Sequence, residues 1–320
     1  MTREGKGDRQ VAFASFLRYL RKARQTSNSQ KKLMPTKKRT GNRSKKNTPP
    51  SWKPNKTALI TGASSGIGYD ISSILAENGY NVVLVARSRE KLEALANQAR
   101  QMFGVSARVI VKDLTQPNSV DELYRELERE KIEVDILVNN AGYGLLGDFA
   151  STSKTEELGM IQLNIVAVAH LTKLFLPSMI RRGSGRILNV ASVVGFRPGP
   201  FMTNYAATKA YVVSFSVALA EEVRQKGITI SVLCPGPTLT GFHDRAGLRE
   251  NSFVRFIFAD SRVVARSGYE GLMAGKTVII PGFFNKIGTL FSRMSPPSFS
   301  ARSVKRYYEP KIKPIVQVLP

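Results

Sequence analysis

From Lys56 onward, short runs of β-branched and aliphatic residues alternate with longer stretches in which apolar residues recur every three to four positions. Few folds accommodate that alternation. Thr57-Ala-Leu-Ile-Thr61, Asn81-Val-Val-Leu-Val-Ala86, Ala107-Arg-Val-Ile-Val111, Val134-Asp-Ile-Leu-Val138, Gly185-Arg-Ile-Leu-Asn-Val-Ala191, Ile228-Thr-Ile-Ser-Val-Leu233 and Thr277-Val-Ile-Ile280 read as strands. Between them the spacing predicts helices from Ile67 to about Asn78, along the face of Leu92, Leu95, Ala96 and Ala99, from Pro117 to about Glu130, from about Thr155 to Arg182, and from near Tyr205 to about Gln225. Strands apolar throughout need cover on both faces, so the expected fold is α/β: a doubly wound parallel sheet in a single domain over 56–282.

Two stretches in this frame carry chemistry. Thr61-Gly-Ala-Ser-Ser-Gly-Ile-Gly68 lies between the first strand and the first helix. There, backbone without side chains lets a pyrophosphate approach, and a helix N-terminus supplies positive potential. The second strand ends at Arg87, where an NAD-preferring site usually offers an acid to the ribose 2′-hydroxyl; a guanidinium suits a 2′-phosphate, so NADP (NADPH) is favoured and NAD less so.

The second stretch is Tyr205-Ala-Ala-Thr-Lys209. Residues four apart share a helix face, which puts the lysine beside the tyrosine. A charge about 5 Å away, at an effective dielectric near 20, is worth roughly 3 kcal/mol, or about two pKa units, and would bring a phenol toward a usable proton donor and acceptor. Another Tyr-x-x-x-Lys, Tyr307 to Lys311, contains Pro310 and is a poor candidate for the same arrangement. Ser192 stands at the carboxyl end of the fifth strand, where open α/β sheets bind ligands.

Outside the alternating region the composition changes. Residues 1–56 hold 17 Lys and Arg against Glu4 and Asp8, so 17 − 2 = +15 of the chain's +24 lies there. Residues 1–55 read as a disordered basic arm, with Val11 to Lys22 able to form a short amphipathic helix. A solvated tail, a contact with membrane or nucleic acid through charge, and a targeting or upstream-start segment all stay open. The one cysteine, Cys234, excludes an internal disulfide and a cysteine-built zinc site, and neither His170 nor His243 has a partner that suggests a metal. No uninterrupted apolar run reaches the ~18 residues that span a bilayer, so a cytoplasmic protein, soluble or peripheral to a membrane, is expected.

Taken together these motifs resemble the short-chain dehydrogenase/reductase family over about Lys56 to Gly282, joined by Asp113, Asn139-Asn-Ala-Gly142, Asn164 and Pro235-Gly-Pro-Thr238. The resemblance implies a Rossmann-like fold and a catalytic set of Asn164, Ser192, Tyr205 and Lys209. It makes Tyr205 the general acid, Ser192 the group that polarises the carbonyl oxygen, Lys209 the modulator of Tyr205, and Asn164 the anchor of a relay water. It also implies cofactor contacts from Gly62, Ser64, Ser65, Gly66, Ile67, Gly68, Arg87, Asp113, Asn140, Tyr205, Lys209, Pro235, Gly236 and Thr238 or Thr240, and assembly as a homodimer or homotetramer. The apolar residues Phe242, Phe253, Phe256, Ile257 and Phe258 after the sixth strand suggest a hydrophobic carbonyl or alcohol substrate: acyl, isoprenoid or steroid-like. Residues 283–320 read as a partly helical extension, most simply a helix packed on the core, that could also cap the cleft, pack in a dimer or touch a membrane. The rival function is a non-catalytic dinucleotide-binding or scaffold protein whose arm contacts nucleic acid or acidic membrane.

Overall fold

The computed structural model describes residues 56–238 and 259–309. The basic arm, Thr240, the apolar positions from Phe242 to Phe258, His243 and Lys311 lie outside the described residues. Seven parallel strands form one sheet: β1 (Thr57–Thr61), β2 (Asn81–Ala86), β3 (Ala107–Val111), β4 (Ile136–Asn139), β5 (Gly185–Val190), β6 (Ile228–Leu233) and β7 (Val278–Ile279), in the order β3-β2-β1-β4-β5-β6-β7. The helices are α1 (Gly66–Glu77), α2 (Arg89–Phe103), α3 (Ser119–Arg129), α4 (Lys154–Ile161), α5 (Ala167–Arg182), α6 (Thr203–Glu222), α7 (Ser261–Met273), α8 (Phe283–Met294) and α9 (Pro297–Tyr308).

Alternation along each strand divides the core. Ile60 and Leu84 point to the layer built with Ile71, Leu75, Leu92, Leu95 and Leu272, while Leu59, Val83 and Val85 point to Leu123, Leu127, Leu171, Phe175 and Met179. At roughly 1.5–3 kcal/mol per fully buried aliphatic side chain, the two apolar layers are the main force holding the sheet flat between its helices. A polar seam crosses the buried interior at one place. Asn139 Nδ2 donates to Asn189 Oδ1 at 2.8 Å and to Thr172 Oγ1 at 3.2 Å, and Asn189 Nδ2 donates to Ser216 Oγ at 2.9 Å. These bonds tie β4 and β5 to α5 and α6, the elements that carry or flank the catalytic candidates.

The doubly wound parallel sheet agrees with the sequence pattern, with local shifts. The fourth strand starts at Ile136 rather than Val134, because the Asp135 carboxylate turns away to accept the Thr57 N–H at 2.9 Å. Helix α3 starts at Ser119 and not at Pro117, since Asn118 takes a left-handed conformation with φ of 61°. The predicted helix over 155–182 is broken by a wider π-helical turn at Gln162–Val166. With its flanks it makes a 29-residue run, Lys154–Arg182, long and apolar enough by length and composition to cross a bilayer even though polar residues interrupt it. Here Leu171, Phe175 and Met179 from that run are buried against the sheet.

The strand order reverses between β1 and β4, so the chain leaving β1 and the chain leaving β4 run to helices on opposite faces of the sheet, and a crevice opens outside the two strand ends. Thr61 and Asn140 span it. Thr61 Oγ1 donates to Val138 O at 3.2 Å and accepts from the N–H groups of Asn140 and Ala141 at 3.0 Å each, while Asn140 Nδ2 donates to Thr61 O at 2.9 Å and Gly62 O at 3.2 Å. The glycines make room for this clamp: a methyl group at Gly68 would overlap the Gly62 carbonyl oxygen and the Asn140 amide. We therefore expect Gly68→Ala to destabilise the fold by about 2 kcal/mol or more, measured by urea unfolding, because one contact is rigid backbone. A neutral substitution would show that the turn is looser than its packing indicates.

Candidate active site

Ser192 and Tyr205 reach the crevice from different elements. Ser192 stands two residues beyond the end of β5 in extended backbone (φ −168°, ψ 158°) and caps a short 3-10 turn, Val193–Phe196. Its hydroxyl accepts from the Val194 N–H at 3.3 Å and donates a long bond to Pro235 O at 3.4 Å, and Pro235 O also takes the Val193 N–H at 2.9 Å. Tyr205 sits in the first turn of α6 and Lys209 one turn on, both buried. Ser192 hydrogen-bonds the Tyr205 phenol. The two hydroxyls expected to act on one oxygen are thus adjacent.

Lys209 lies on the Tyr205 face as its spacing requires, with Nζ 5.8 Å from the ring centroid. The net shift of the phenol nevertheless runs upward, away from the working range that this spacing suggests. Burial pushes Tyr205 up to about 12, outweighing the downward pull of the Ser192 hydrogen bond, and the nearby Tyr308 raises it further. Burial also drives Lys209 down to about 8. The ammonium is held by the Val190 carbonyl, to which it donates at 2.9 Å, because a charge taken out of water needs an acceptor more than it needs a ring face.

Asn164 is buried within the π-helical turn, a distortion frequent at functional sites. Its Nδ2 donates to Tyr143 O at 2.9 Å and to Thr208 Oγ1 at 3.1 Å, and its Oδ1 accepts the Tyr143 N–H at 3.2 Å. Both amide protons are committed to the protein, so the side-chain amide braces α6 against the loop after β4. The tightness of that loop was legible in Asn139-Asn-Ala-Gly142, but Tyr143 and Thr208 carry no sequence signal for their part in it. Neither does Thr61.

At the other end of the crevice, Ser64 and Ser65 form the turn into α1, and Ile67 lies in its first turn. Ser65, the residue preceding the helix, makes no side-chain capping bond. The first N–H groups of a helix have no partner within it, so this end offers donors and positive potential to an anion. Arg87, just past β2, and Asp113, past β3, are paired at 3.6 Å. Asp113 is disfavoured by burial, yet bonds from the Thr115 N–H and hydroxyl, together with Arg87, hold its carboxyl below the usual range. The Arg87 side chain is 66% exposed, so its pairing contributes little to stability and its guanidinium stays accessible. Thr238 is buried, with its hydroxyl donating to Gly236 O at 2.9 Å.

A sequence profile described as short chain dehydrogenase matches residues 56–251. The chain belongs to the short-chain dehydrogenase family. It is 40% identical over 180 residues to 17-beta-hydroxysteroid dehydrogenase type 3 of Rattus norvegicus, which is 56% of this chain and 58% of that protein. It is 37% identical over 183 residues to the very-long-chain 3-oxoacyl-CoA reductase of Anas platyrhynchos, again 56% of this chain and 58% of the relative. The chain thus spans less than two thirds of the length of these relatives. Among solved structures, a short-chain dehydrogenase from Sphingobium yanoikuyae in complex with NADPH superposes with a TM-score of 0.66 and 30% identity, covering 82% of this chain and 98% of the other. The bulky-bulky ketone specific alcohol dehydrogenase of Comamonas testosteroni gives a TM-score of 0.65 and 29% identity over 84% of this chain and all of its own.

Beyond the family's matched span, α8 and α9 pack on the site. Asn285 of α8 lies against Gly236, where a methyl group would come within 2.5 Å of its side chain; the Arg293 guanidinium sits 5.7 Å from the Phe196 ring centroid; and Tyr308 of α9 is close enough to raise Tyr205. The covering pair falls within the extension expected to be partly helical, whereas helix α7 was not resolved as a helix in the sequence pattern.

The buried Lys209 gives a stability prediction. The unfolded chain keeps this proton up to about 10.5 and the folded chain only to about 8, so the folded state carries the cost of the buried charge in full below pH 8 and sheds it as pH rises through that window. We expect Lys209→Met to raise stability at neutral pH by up to about 3 kcal/mol, with the gap from the parent closing toward pH 10. Chemical denaturation at pH 7, 9 and 10 checks both sign and trend.

Proposed function

We propose that this chain is an NADPH-dependent oxidoreductase that moves a hydride to or from the carbonyl carbon, or secondary alcohol, of a hydrophobic acyl, isoprenoid or steroid-like substrate. The observation that carries the reading is the Ser192–Tyr205 hydroxyl pair, with Lys209 beside it, at the crevice whose far end is the uncapped N-terminus of α1. The names of the relatives, a hydroxysteroid dehydrogenase and a 3-oxoacyl-CoA reductase, support the substrate class. The complex of the Sphingobium yanoikuyae protein with NADPH supports the cofactor.

The residues present suit a dinucleotide. Gly62, Ser64, Ser65, Gly66, Ile67 and Gly68 would take the pyrophosphate on backbone N–H groups, Arg87 a 2′-phosphate, and Asp113 and Asn140 the adenosine side. Pro235, Gly236 and Thr238 would hold the nicotinamide side. NADPH, when bound, supplies the hydride. In reduction the Tyr205 O–H gives its proton to the carbonyl oxygen as the carbon receives the hydride, so the carbonyl becomes an alcohol and the phenol a phenolate. Ser192, whose bond to Pro235 O is long, has a hydroxyl available to donate to the same oxygen. A phenol pushed up to about 12 holds its proton at neutral pH, which favours the reductive direction. Lys209 steadies the phenolate until it is reprotonated, and Asn164 positions the loop and α6 around them. For assembly, the exposed Val166 at the end of the π-helical turn, with Tyr211 and Val217 on α6, is where a second copy would pack in a homodimer or homotetramer.

Tyr205→Phe should lower kcat with lipophilic ketones by about 10²–10⁴-fold while NADPH binding stays near that of the parent, and Ser192→Ala should fall in the same direction. NADPH oxidation and a fluorescence titration measure the two quantities; undiminished turnover by Tyr205→Phe would refute the assignment. Replacing Arg87 by Asp should raise the KM for NADPH by about tenfold or more and improve use of NADH. Equal KM values for NADPH before and after would remove the case for a 2′-phosphate contact.

A further inference from the structure

Helix α8 has its polar side toward the protein and its apolar side outward. Thr289 is buried, and Asn285 and Ser292, about one turn to either side, are half-buried. Asn285 Nδ2 donates to Pro281 O at 2.7 Å. On the opposite side stand Phe283, Phe284, Ile287, Leu290, Phe291 and Met294, each at least 50% exposed. Their spacing, 283, 284, 287, 290, 291 and 294, is a single helical stripe, and Phe299 of α9, 55% exposed, adds to it. A surface helix of a water-soluble domain has the reverse orientation. An exposed apolar stripe of this kind marks an interaction surface.

The charges around the stripe select its partner. Lys286 and Arg293 on α8, and Arg302, Lys305 and Arg306 on α9, are all exposed, while the sole acid in residues 283–309 is Glu309, paired with Lys305 at 3.5 Å. We propose that the α8–α9 pair docks on an anionic lipid bilayer, the apolar stripe entering the acyl layer and the cations meeting the phosphates. A second copy of the chain would bring the same cations to the same patch, on top of a formal charge of +24, and be repelled. A nucleic acid would engage the cations and leave three phenylalanines of α8 in water. The docked pair is also the one that reaches Tyr205 through Tyr308, so a lipophilic substrate would arrive from the bilayer side; that last clause rests on the proposed oxidoreductase reading, and docking itself does not.

The full chain has a single tryptophan, Trp52, so Trp52→Phe combined with Phe291→Trp gives one reporter on the stripe. Vesicles of phosphatidylcholine and phosphatidylglycerol with brominated acyl chains should quench it, and quenching should be weaker on phosphatidylcholine alone. Phe284→Ser with Phe291→Ser should lower partitioning into the anionic vesicles by at least about tenfold without changing the melting temperature. Sedimentation with the vesicles but an unquenched tryptophan would mean that the basic arm alone carries the binding, and would overturn the proposal. So would self-association without vesicles that is abolished by the same two serines, which assigns the stripe to a second copy. Quenching in a protein that turns over no ketone would leave docking standing and remove the oxidoreductase reading; turnover without quenching would do the opposite.

Discussion

The crevice lies where the chains leaving β1 and β4 turn to opposite faces of the sheet, and it keeps its shape because Thr61 and Asn140 tie the two strand ends together. Five hydrogen bonds from two side chains hold the tips of two neighbouring strands and the turn between β1 and α1 in one arrangement. Everything that faces the crevice inherits its position from them. The glycine turn cannot shift without losing the Asn140 amide, and the loop after β4 is fixed in turn by Asn164. Below it the Asn139–Asn189–Ser216 seam holds α6, and therefore Tyr205 and Lys209, against β5.

Within that frame the site opposes desolvation to charge. Burial disfavours both the phenolate of Tyr205 and the ammonium of Lys209, and the fold answers with one carbonyl, Val190 O, and one hydroxyl, Ser192. A dry site strengthens each of these contacts, yet it also makes the lysine a local liability. Cys234 shows the same environment from a neutral group: burial pushes its thiol up to about 12 even with Lys209 nearby. The low local dielectric, more than the spacing of the two residues along a helix, sets the protonation states.

The sequence pattern made the fold class legible because strands covered on both faces are apolar throughout, and β2, β3 and β6 keep the boundaries their composition suggests. Strand order was not legible, since pairing is decided by contacts between residues far apart in the chain. Helix α7 was hidden by Gly268 and Gly271, which argue against a helix when seen locally. In three dimensions they are what lets it approach: a methyl at Gly268 would come within 2.9 Å of Leu233, and one at Gly271 within 2.5 Å of Ile279. At the site, Tyr205, Lys209 and Ser192 could be paired from spacing and strand position. The direction of the phenol's shift could not, because it depends on how completely α9 and the sheet exclude water. The outward face of α8 was hidden for a related reason, as its apolar residues suggested core packing and only the three-dimensional arrangement shows them facing solvent.

The π-helical turn at Gln162–Val166 amounts to one surplus residue in an otherwise regular rod. A regular α-helix turns by about 100° per residue, so excising that residue would swing either Met160 or Leu171 away from the interior, depending on which half moved. Anyone transplanting this segment into a related scaffold, or aligning it to one, must keep the insertion in register.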